Sequence, residues 1–126
     1  MLLSIIIPVF NEVNTIEQIL KKVRNQKIKN IEIIVVDDCS TDGTKKILKT
    51  KLFKDIDKII YHKNNKGKGA AIQSAQKFIN GDFVIIQDAD LEYDPNDYIN
   101  LIKPINAHNA KVVYGSRVVK NNRYNS

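Results

Sequence analysis

An α/β domain built on a mainly parallel sheet, with helices on both faces, is what this sequence predicts. Five short apolar runs, "LSIIIPV", "IEIIVV", "KIIYH", "FVIIQ" and "KVVYG", alternate with amphipathic segments. Such alternation implies parallel strands joined by right-handed crossovers. The second and fourth runs are rich in Ile and Val with little polar interruption, as strands buried on both faces are. With 126 residues the chain suffices for one domain and a modest core, not for two.

Taken in order, "MLLSIIIPVF" has an apolar start but no basic leader or small-residue cleavage site, and Pro8 interrupts it. It reads as the first strand, not a signal peptide. In "NTIEQILKKVRNQ", Asn14 and Glu17 form a plausible cap pair, and Ile16, Ile19, Leu20 and Val23 make one apolar stripe. After the second strand, "STDGTKKILKT" gives a shorter helix. In "GKGAAIQSAQKFING", Ala71, Ile72, Ala75, Phe78 and Ile79 share a face, and Gly81 is placed as the C-terminal stop. "DPNDYINLIKPI" opens a further helix with Asp94 as N-cap and Pro95 in its first turn, until Pro104 ends or kinks it. No repeat, linker or low-complexity tract interrupts this order.

Apolar residues make up 43% of the chain, too many for a disordered protein. The apolar runs are strand-sized, too short to cross a membrane as helices. The single cysteine, Cys39, excludes an internal disulfide and a cysteine-only zinc site, and implies a reducing cytoplasm. Without a nearby histidine in sequence it reads as a packed small residue. The net charge of +6 is mostly scattered lysine. Such lysines form a solvated surface, or attract phosphates, nucleotides or an anionic membrane face. Nucleic acid is disfavoured, because no arginine cluster or aromatic stacking pattern accompanies the charge.

Open parallel sheets bind ligands at the carboxyl ends of strands, where strand order reverses. Three of the runs lead into polar clusters there, "PVFNE", "DDCSTDGT" and "QDADLE". Asp42-Gly43 alone reads as a turn; acids recurring at the same end of successive strands point to a site. Asp88 and Asp90 flank Ala89, and in an extended stretch this alternation turns both carboxylates to one side. Two such charges repel unless a cation joins them. Oxygen ligands without nearby His or Cys favour Mg²⁺ or Mn²⁺ over zinc. Glu92 stands equally as a further metal contact or as a cap for the next turn.

The segments "SIIIPVFNE", "IIVVDDCSTDGT", "NKGKGAAI", "QDADLEYDP" and "VVYGSR", in this order, resemble the family 2 inverting glycosyltransferases. These have the Rossmann-like GT-A fold, and the similarity is greatest to polyprenyl-phosphate (dolichyl-phosphate) sugar synthases. The resemblance implies a UDP- or GDP-linked sugar donor, a divalent metal and inversion at the anomeric carbon. It assigns Pro8, Asn11 and Glu12 to the first nucleotide-contacting loop, Asp37 to the base, and Asp38 to the same motif beside it. Lys68 and Gly69 match the loop against the nucleotide. Asp88, Ala89 and Asp90 match the metal and diphosphate motif, and Arg117 a basic residue near the donor phosphates. Asp88, Asp90 and Arg117 are thus the expected catalytic set. A polyprenyl phosphate acceptor is implied, with peripheral contact at the cytoplasmic membrane face. Family members generally continue for about a hundred residues more, so residues 1–126 are expected to form the donor-binding domain without the acceptor half.

The residue chemistry fits this independently. A carboxylate such as Asp37 or Glu12 can accept hydrogen bonds from uracil or guanine N–H groups. Sugar transfer releases a nucleoside diphosphate, whose growing charge a metal on Asp90 and the Arg117 guanidinium can stabilise. A lipid phosphate acceptor is already anionic at neutral pH, since its second pKa is ~6, so the demand for a carboxylate base to activate it fades.

Other readings fail on particular residues. Gly67-Lys68-Gly69 is followed by Ala70 and Ala71 where a Walker loop needs Lys-Ser/Thr, and Ile72 stands where a dinucleotide fingerprint needs glycine. A signalling receiver would carry Asp37-Asp38 after its first strand and a lysine after its fifth. His62 and His108, far apart, read as structural or solvated, and Tyr93 and Tyr98 as helix packing. The remaining rival is a noncatalytic nucleotide-sugar-binding module built from the same half.

Overall fold

Residues Leu3–Val9 form the central strand β1, flanked by β2 (Ile31–Asp37) on one side and β4 (Phe83–Ile86) on the other. The computed structural model describes residues 2–26, 30–89 and 112–114. β3 (Lys58–Tyr61) pairs with β2, and β5 (Val112–Tyr114) with β4, giving the order β3-β2-β1-β4-β5 with every pair parallel. The predicted α/β class and parallel sheet are therefore observed. β1 tolerates the centre because its residues are apolar on both sides of the pleat apart from Ser4, whose buried hydroxyl donates to Glu32.

Alternation along the strands sorts the core into two layers. Leu3, Ile5, Ile7 and Val9 pack with Ile33, Val35 and Ile85 under helix α1 (Ile16–Arg24) and helix α2 (Thr44–Thr50). Ile16, Ile19, Leu20 and Val23 are the stripe α1 buries there, as its spacing predicts. Ile6, Ile34, Val36, Val84 and Ile86 face the other way, onto Ala71 and Ala75 of helix α3 (Lys68–Gln76). Small residues on α3 let that helix sit close to the sheet.

Several local expectations are corrected. The residue at the start of α1 is Thr15, not Asn14, and it makes no side-chain capping bond. The Glu12 carbonyl accepts the Thr15 and Ile16 amides instead, at 3.1 and 2.9 Å. Glu17 turns outward to Lys51 at 3.0 Å and Lys21 at 3.5 Å. α2 starts later than "STDGT" suggested, after Gly43 with φ of 99°. A 3-10 turn, Leu52–Asp55, follows it.

Helix α3 ends at Gln76, so Gly81 is not its stop, and Phe78 is 38% exposed. The Phe78 ring lies under the Lys58 ammonium instead, 4.4 Å from its centroid. Gly81 has a different task. A Cβ there would stand 2.7 Å from the Ser4 amide nitrogen and 2.8 Å from the Leu2 carbonyl oxygen. Only glycine lets the chain pass this close under the start of β1 before it turns into β4. The predicted helix from Asp94 lies outside the described residues, as do Tyr93, Tyr98 and His108.

Candidate functional site

Chain order steps from β1 to β2 to β3 on one side of the sheet, then crosses back to β4 on the other. In open parallel sheets a crevice forms at such a switch point, beyond the carboxyl ends of the two strands, here β1 and β4. A cavity of about 280 Å³ lies in it, near the lower bound of roughly 300 Å³ for ligand clefts. Pro8, Val9, Phe10 and Glu12 line it from the end of β1; Asp88 and Ala89 from the end of β4. Asp38 after β2, with Lys68 and Ala71 of α3, completes the lining.

Asp37 and Asp38 part company through the strand pleat. Ile33 and Val35 face α1 and α2 while Ile34 and Val36 face α3, so alternation sends Asp37 to the first side and Asp38 to the second. Asp38 is 4% exposed, yet its carboxylate is well satisfied. Its Oδ1 accepts from the Lys66 amide and lies against His62 Nδ1, both at 2.8 Å, and its Oδ2 accepts from the Gly67 amide at 2.8 Å. Burial alone would raise its pKa; the Lys66 and Gly67 amides and His62 outweigh burial and hold it below the ordinary 3.8.

Asp37 is fully buried, and its Oδ2 accepts from the Ser40 amide at 3.2 Å. Its Oδ1 is a buried acceptor without a hydrogen-bond partner among the described residues. Such atoms are uncommon and mark places where a ligand or water completes the site. Burial and the neighbouring Asp37 carboxylate together push the Tyr61 phenol up, which keeps it neutral.

Asn11 builds the wall without lining the cavity. Its Oδ1 accepts from the Thr41 amide at 2.7 Å, and its own amide donates to Ser40 Oγ at 2.9 Å. Asp42 adds a second latch between these loops, accepting from the Val13 amide at 3.2 Å and the Thr44 amide at 3.0 Å. Burial opposes its ionisation, but the Thr44 hydroxyl and amide and the Val13 amide lower its pKa. The turn reading of Asp42-Gly43 thus matches the geometry. Asn11 and Cys39 have φ of 54° and 66°, the two non-glycine residues with positive φ among those described, and both sit in these loops. Cys39 is half-buried, its Sγ 3.4 Å from the Lys63 carbonyl oxygen.

Opposite charges meet across the crevice. Lys68 Nζ lies 2.5 Å from Asp88 Oδ1, with the side chains 43% and 18% exposed. Gly69 is exposed in the first turn of α3 and does not line the cavity. A second cavity, about 310 Å³, lies between α1 and the 3-10 turn. Of its lining residues, Lys21 and Lys51 pair with Glu17, and Arg24 donates to the Asp55 carbonyl and pairs with Asp57 outside the lining; none of the lining residues belongs to a described strand.

The model for glycosyl transferase family 2 matches residues 4–126. The chain belongs to glycosyl transferase family 2. This family 2 chain is 34% identical over 121 residues to a dolichol-phosphate mannosyltransferase of Pyrococcus furiosus, covering 95% of this chain and 34% of that protein. A UDP-N-acetylglucosamine–dolichyl-phosphate N-acetylglucosaminyltransferase of Methanococcus voltae is 32% identical, over 93% of this chain and 52% of its own length. The chain thus spans between a third and about half of these relatives. Among solved structures, a Pyrobaculum calidifontis mannosyltransferase in complex with GDP-Man and Mn²⁺ superposes with a TM-score of 0.67 at 28% identity, covering 77% of this chain and 30% of that one. TarS 1-349 of S. aureus in complex with UDP-GlcNAc gives 0.68 at 29%, covering 79% and 29%. The GT-A fold expected from the sequence is that of these neighbours.

The donor chemistry of the family 2 site suits a hard divalent cation. Asp88 presents a carboxylate oxygen that already sits against a cation, Lys68, and no described His or Cys lines the cavity with it. Among the described residues no cluster of three or more His, Cys, Asp or Glu gathers. Of the acids lining the crevice, Asp38 is engaged by the Lys66 and Gly67 amides and His62, which leaves Asp88 and Glu12; this accords with Mg²⁺ or Mn²⁺, which take one or two carboxylates and fill their other positions with water and phosphate oxygens. Asp90, Glu92 and Arg117 lie outside the described residues.

Two participants escaped sequence reasoning. Phe10 lines the cavity while 45% exposed; its signal was an aromatic at a strand's carboxyl end, where a polar residue was expected. His62 is 7% exposed and touches both Asp38 and Ser74. It too follows a strand directly, a placement that would have found it.

Proposed function

We propose that this chain holds the nucleoside diphosphate of a UDP- or GDP-sugar in the β1/β4 crevice, with Mg²⁺ or Mn²⁺, for inverting glycosyl transfer to a polyprenyl phosphate. One observation carries the reading: an acid and a lysine, Asp88 and Lys68, face each other at the switch point of a family 2 sheet. Asp88 is the residue to hold the metal, together with Asp90, and Glu92 is a further candidate. The bound metal would act as a Lewis acid toward the departing diphosphate.

The chain's own residues supply the rest. The Lys68 ammonium is placed to neutralise phosphate oxygens, and Arg117 is assigned the same task. Asp37 Oδ1, a buried acceptor without a partner among the described residues, suits an N–H of uracil or guanine, and Glu12 at the cavity wall is the alternative. The exposed Phe10 ring offers a flat apolar surface to a base. An anionic acceptor phosphate needs no proton removed at neutral pH, so positioning and charge neutralisation carry the rate. No described helix is long and apolar enough to cross a membrane; the lipid acceptor would be met at the membrane surface.

Calorimetric titration with UDP and GDP, each with Mn²⁺, Mg²⁺ or a chelator, tests the binding step. Binding that requires the metal is expected, and equal binding in chelator would overturn it. Transfer is read separately, as labelled sugar passing from GDP-mannose or UDP-N-acetylglucosamine to polyprenyl phosphate. Metal-dependent binding without transfer would favour the noncatalytic module.

A further inference from the structure

We propose that His62 is a positioning residue for the donor site, bracing the Lys66–Lys68 loop through Asp38 and Ser74. The proposal rests on the nucleotide-binding reading for its consequence, and on the fold alone for its geometry.

Asp38, His62 and Ser74 form a continuous chain. His62 Nδ1 is 2.8 Å from Asp38 Oδ1, and His62 Nε2 is 2.8 Å from Ser74 Oγ. The sequence Asp, His, Ser resembles a hydrolase relay, but the hydroxyl is misplaced for one. Ser74 lies on α3 beyond Ala71 and does not line the cavity. No substrate held at Asp88 would meet it.

The chain makes sense as a strut. The His62 amide is fixed by the Asp37 carbonyl at 2.9 Å, which continues the β2/β3 ladder one step past its end. From that anchor the imidazole reaches two elements. On one side it takes Asp38 Oδ1, the same oxygen that receives the Lys66 amide at 2.8 Å, while Oδ2 receives the Gly67 amide. On the other it takes Ser74, in the turn of α3 after the one that carries Ala71. Gly67, with φ of 95°, is where the loop becomes α3, and Lys68 is the first helical residue. The loop that delivers Lys68 to the crevice is thus held at its start by Asp38 and beyond its end by Ser74, with one imidazole touching both.

Two hydrogen bonds of His62 therefore set where a third residue's ammonium stands. Its removal frees Asp38 to rotate within a buried pocket, and the Lys66 and Gly67 amides lose a fixed acceptor. Charge-assisted bonds of this kind are directional, so Lys68 would lose its place opposite Asp88 without being altered itself.

The test uses amide spectra of the full chain, then nucleotide affinity. In His62→Leu, the Lys66 and Gly67 amide resonances should move upfield and exchange faster, while amides of β1 and β4 stay in place. Affinity for GDP or UDP with Mn²⁺ should fall about tenfold. His62→Asn puts an amide N–H near the Nδ1 position and should restore the loop amides and much of the affinity. Ser74→Ala removes one hydroxyl from the strut and should give the same shifts at smaller amplitude, about threefold in affinity. Unmoved Lys66 and Gly67 amides in His62→Leu overturn the proposal. If that variant does not fold, unmoved loop amides in Ser74→Ala overturn it. Failure of the wild-type chain to bind either nucleotide would sink the donor-site reading and leave the amide test standing.

Discussion

The two ends of one parallel sheet use their acids in opposite ways. At the amino end, Asp57 Oδ2 accepts from the Ile33 amide at 2.7 Å and from Arg24 at 3.1 Å. Glu32 accepts from the Asn80 amide at 2.6 Å and from the Ser4 hydroxyl, and Asp82 accepts from the Leu2 amide at 3.0 Å. Each carboxylate there sews one chain crossing to another. At the carboxyl end Asp42 and Asp38 do the same for the loops, but Asp37 keeps a buried oxygen with no partner among the described residues, and Asp88 faces a lysine across a cavity. The same side chain is mortar at one end and, under the proposed function, a binding group at the other. What separates them is how far the protein's own donors occupy the carboxylate, not the residue type: Asp37 has the Ser40 amide on Oδ2 alone, and Asp88 has a lysine.

That contrast can be broken in order of expected size. Asp88→Ala should reduce affinity for GDP or UDP with Mn²⁺ by about a hundredfold while leaving the melting temperature nearly unchanged. A large loss of stability would place Asp88 with the structural acids instead. Asp57→Ala should do the reverse, costing about 1–2 kcal/mol in denaturant unfolding because the Ile33 amide loses its acceptor. Nucleotide affinity of the folded protein should not change, and a drop would erase the division between the ends.

Lys68→Met sharpens the comparison through a difference in sign. With the ammonium gone, Mn²⁺ alone should bind about threefold more tightly, because Asp88 no longer has a competing cation. Nucleoside diphosphate affinity should fall at the same time, and both constants moving together would contradict the arrangement. The smallest effect concerns acid. Asp38 is held below 3.8 when folded, so its contribution is complete above that value and is lost as pH falls through the lower folded one. Stability of Asp38→Asn should therefore decline less steeply than wild type below about pH 4. An identical slope would mean that the loop amides do not depend on this charge.

The fold was legible because its signal is local and repeated. Continuous Ile and Val in β2 and β4, and the stripe on α1, each state their own burial. The crevice was legible for a related reason, since polar clusters after "IIIPV", "IIVV" and "FVII" mark one end of the sheet. Long-range contacts were not. Gly81 looked like a helix stop because nothing nearby announces Ser4 and Leu2 passing beneath it. Asn14 looked like a cap because the Glu12 carbonyl, which takes the amides instead, leaves no mark in side-chain pattern. The division between Asp37 and Asp38 depends on which face each helix occupies, and that follows from the crossover after β3, a feature of topology. His62 read as structural or solvated, and it is structural; its two partners could not be named because they lie 24 residues before it and 12 after.

The seam between β1 and β4 also has a consequence in time. The Leu2 amide bonds to Asp82 across 80 residues, and β1 pairs in register with β4 over the same span. During synthesis the central strand emerges about 80 residues ahead of its second neighbour, so one edge of an aliphatic strand waits open. Distant pairings of this kind slow folding and expose strand edges to other chains. The crevice sits on the seam that closes late, so a bound nucleotide would selectively hold the finished sheet together. Under the proposed function, nucleotide binding would also act as a folding clamp.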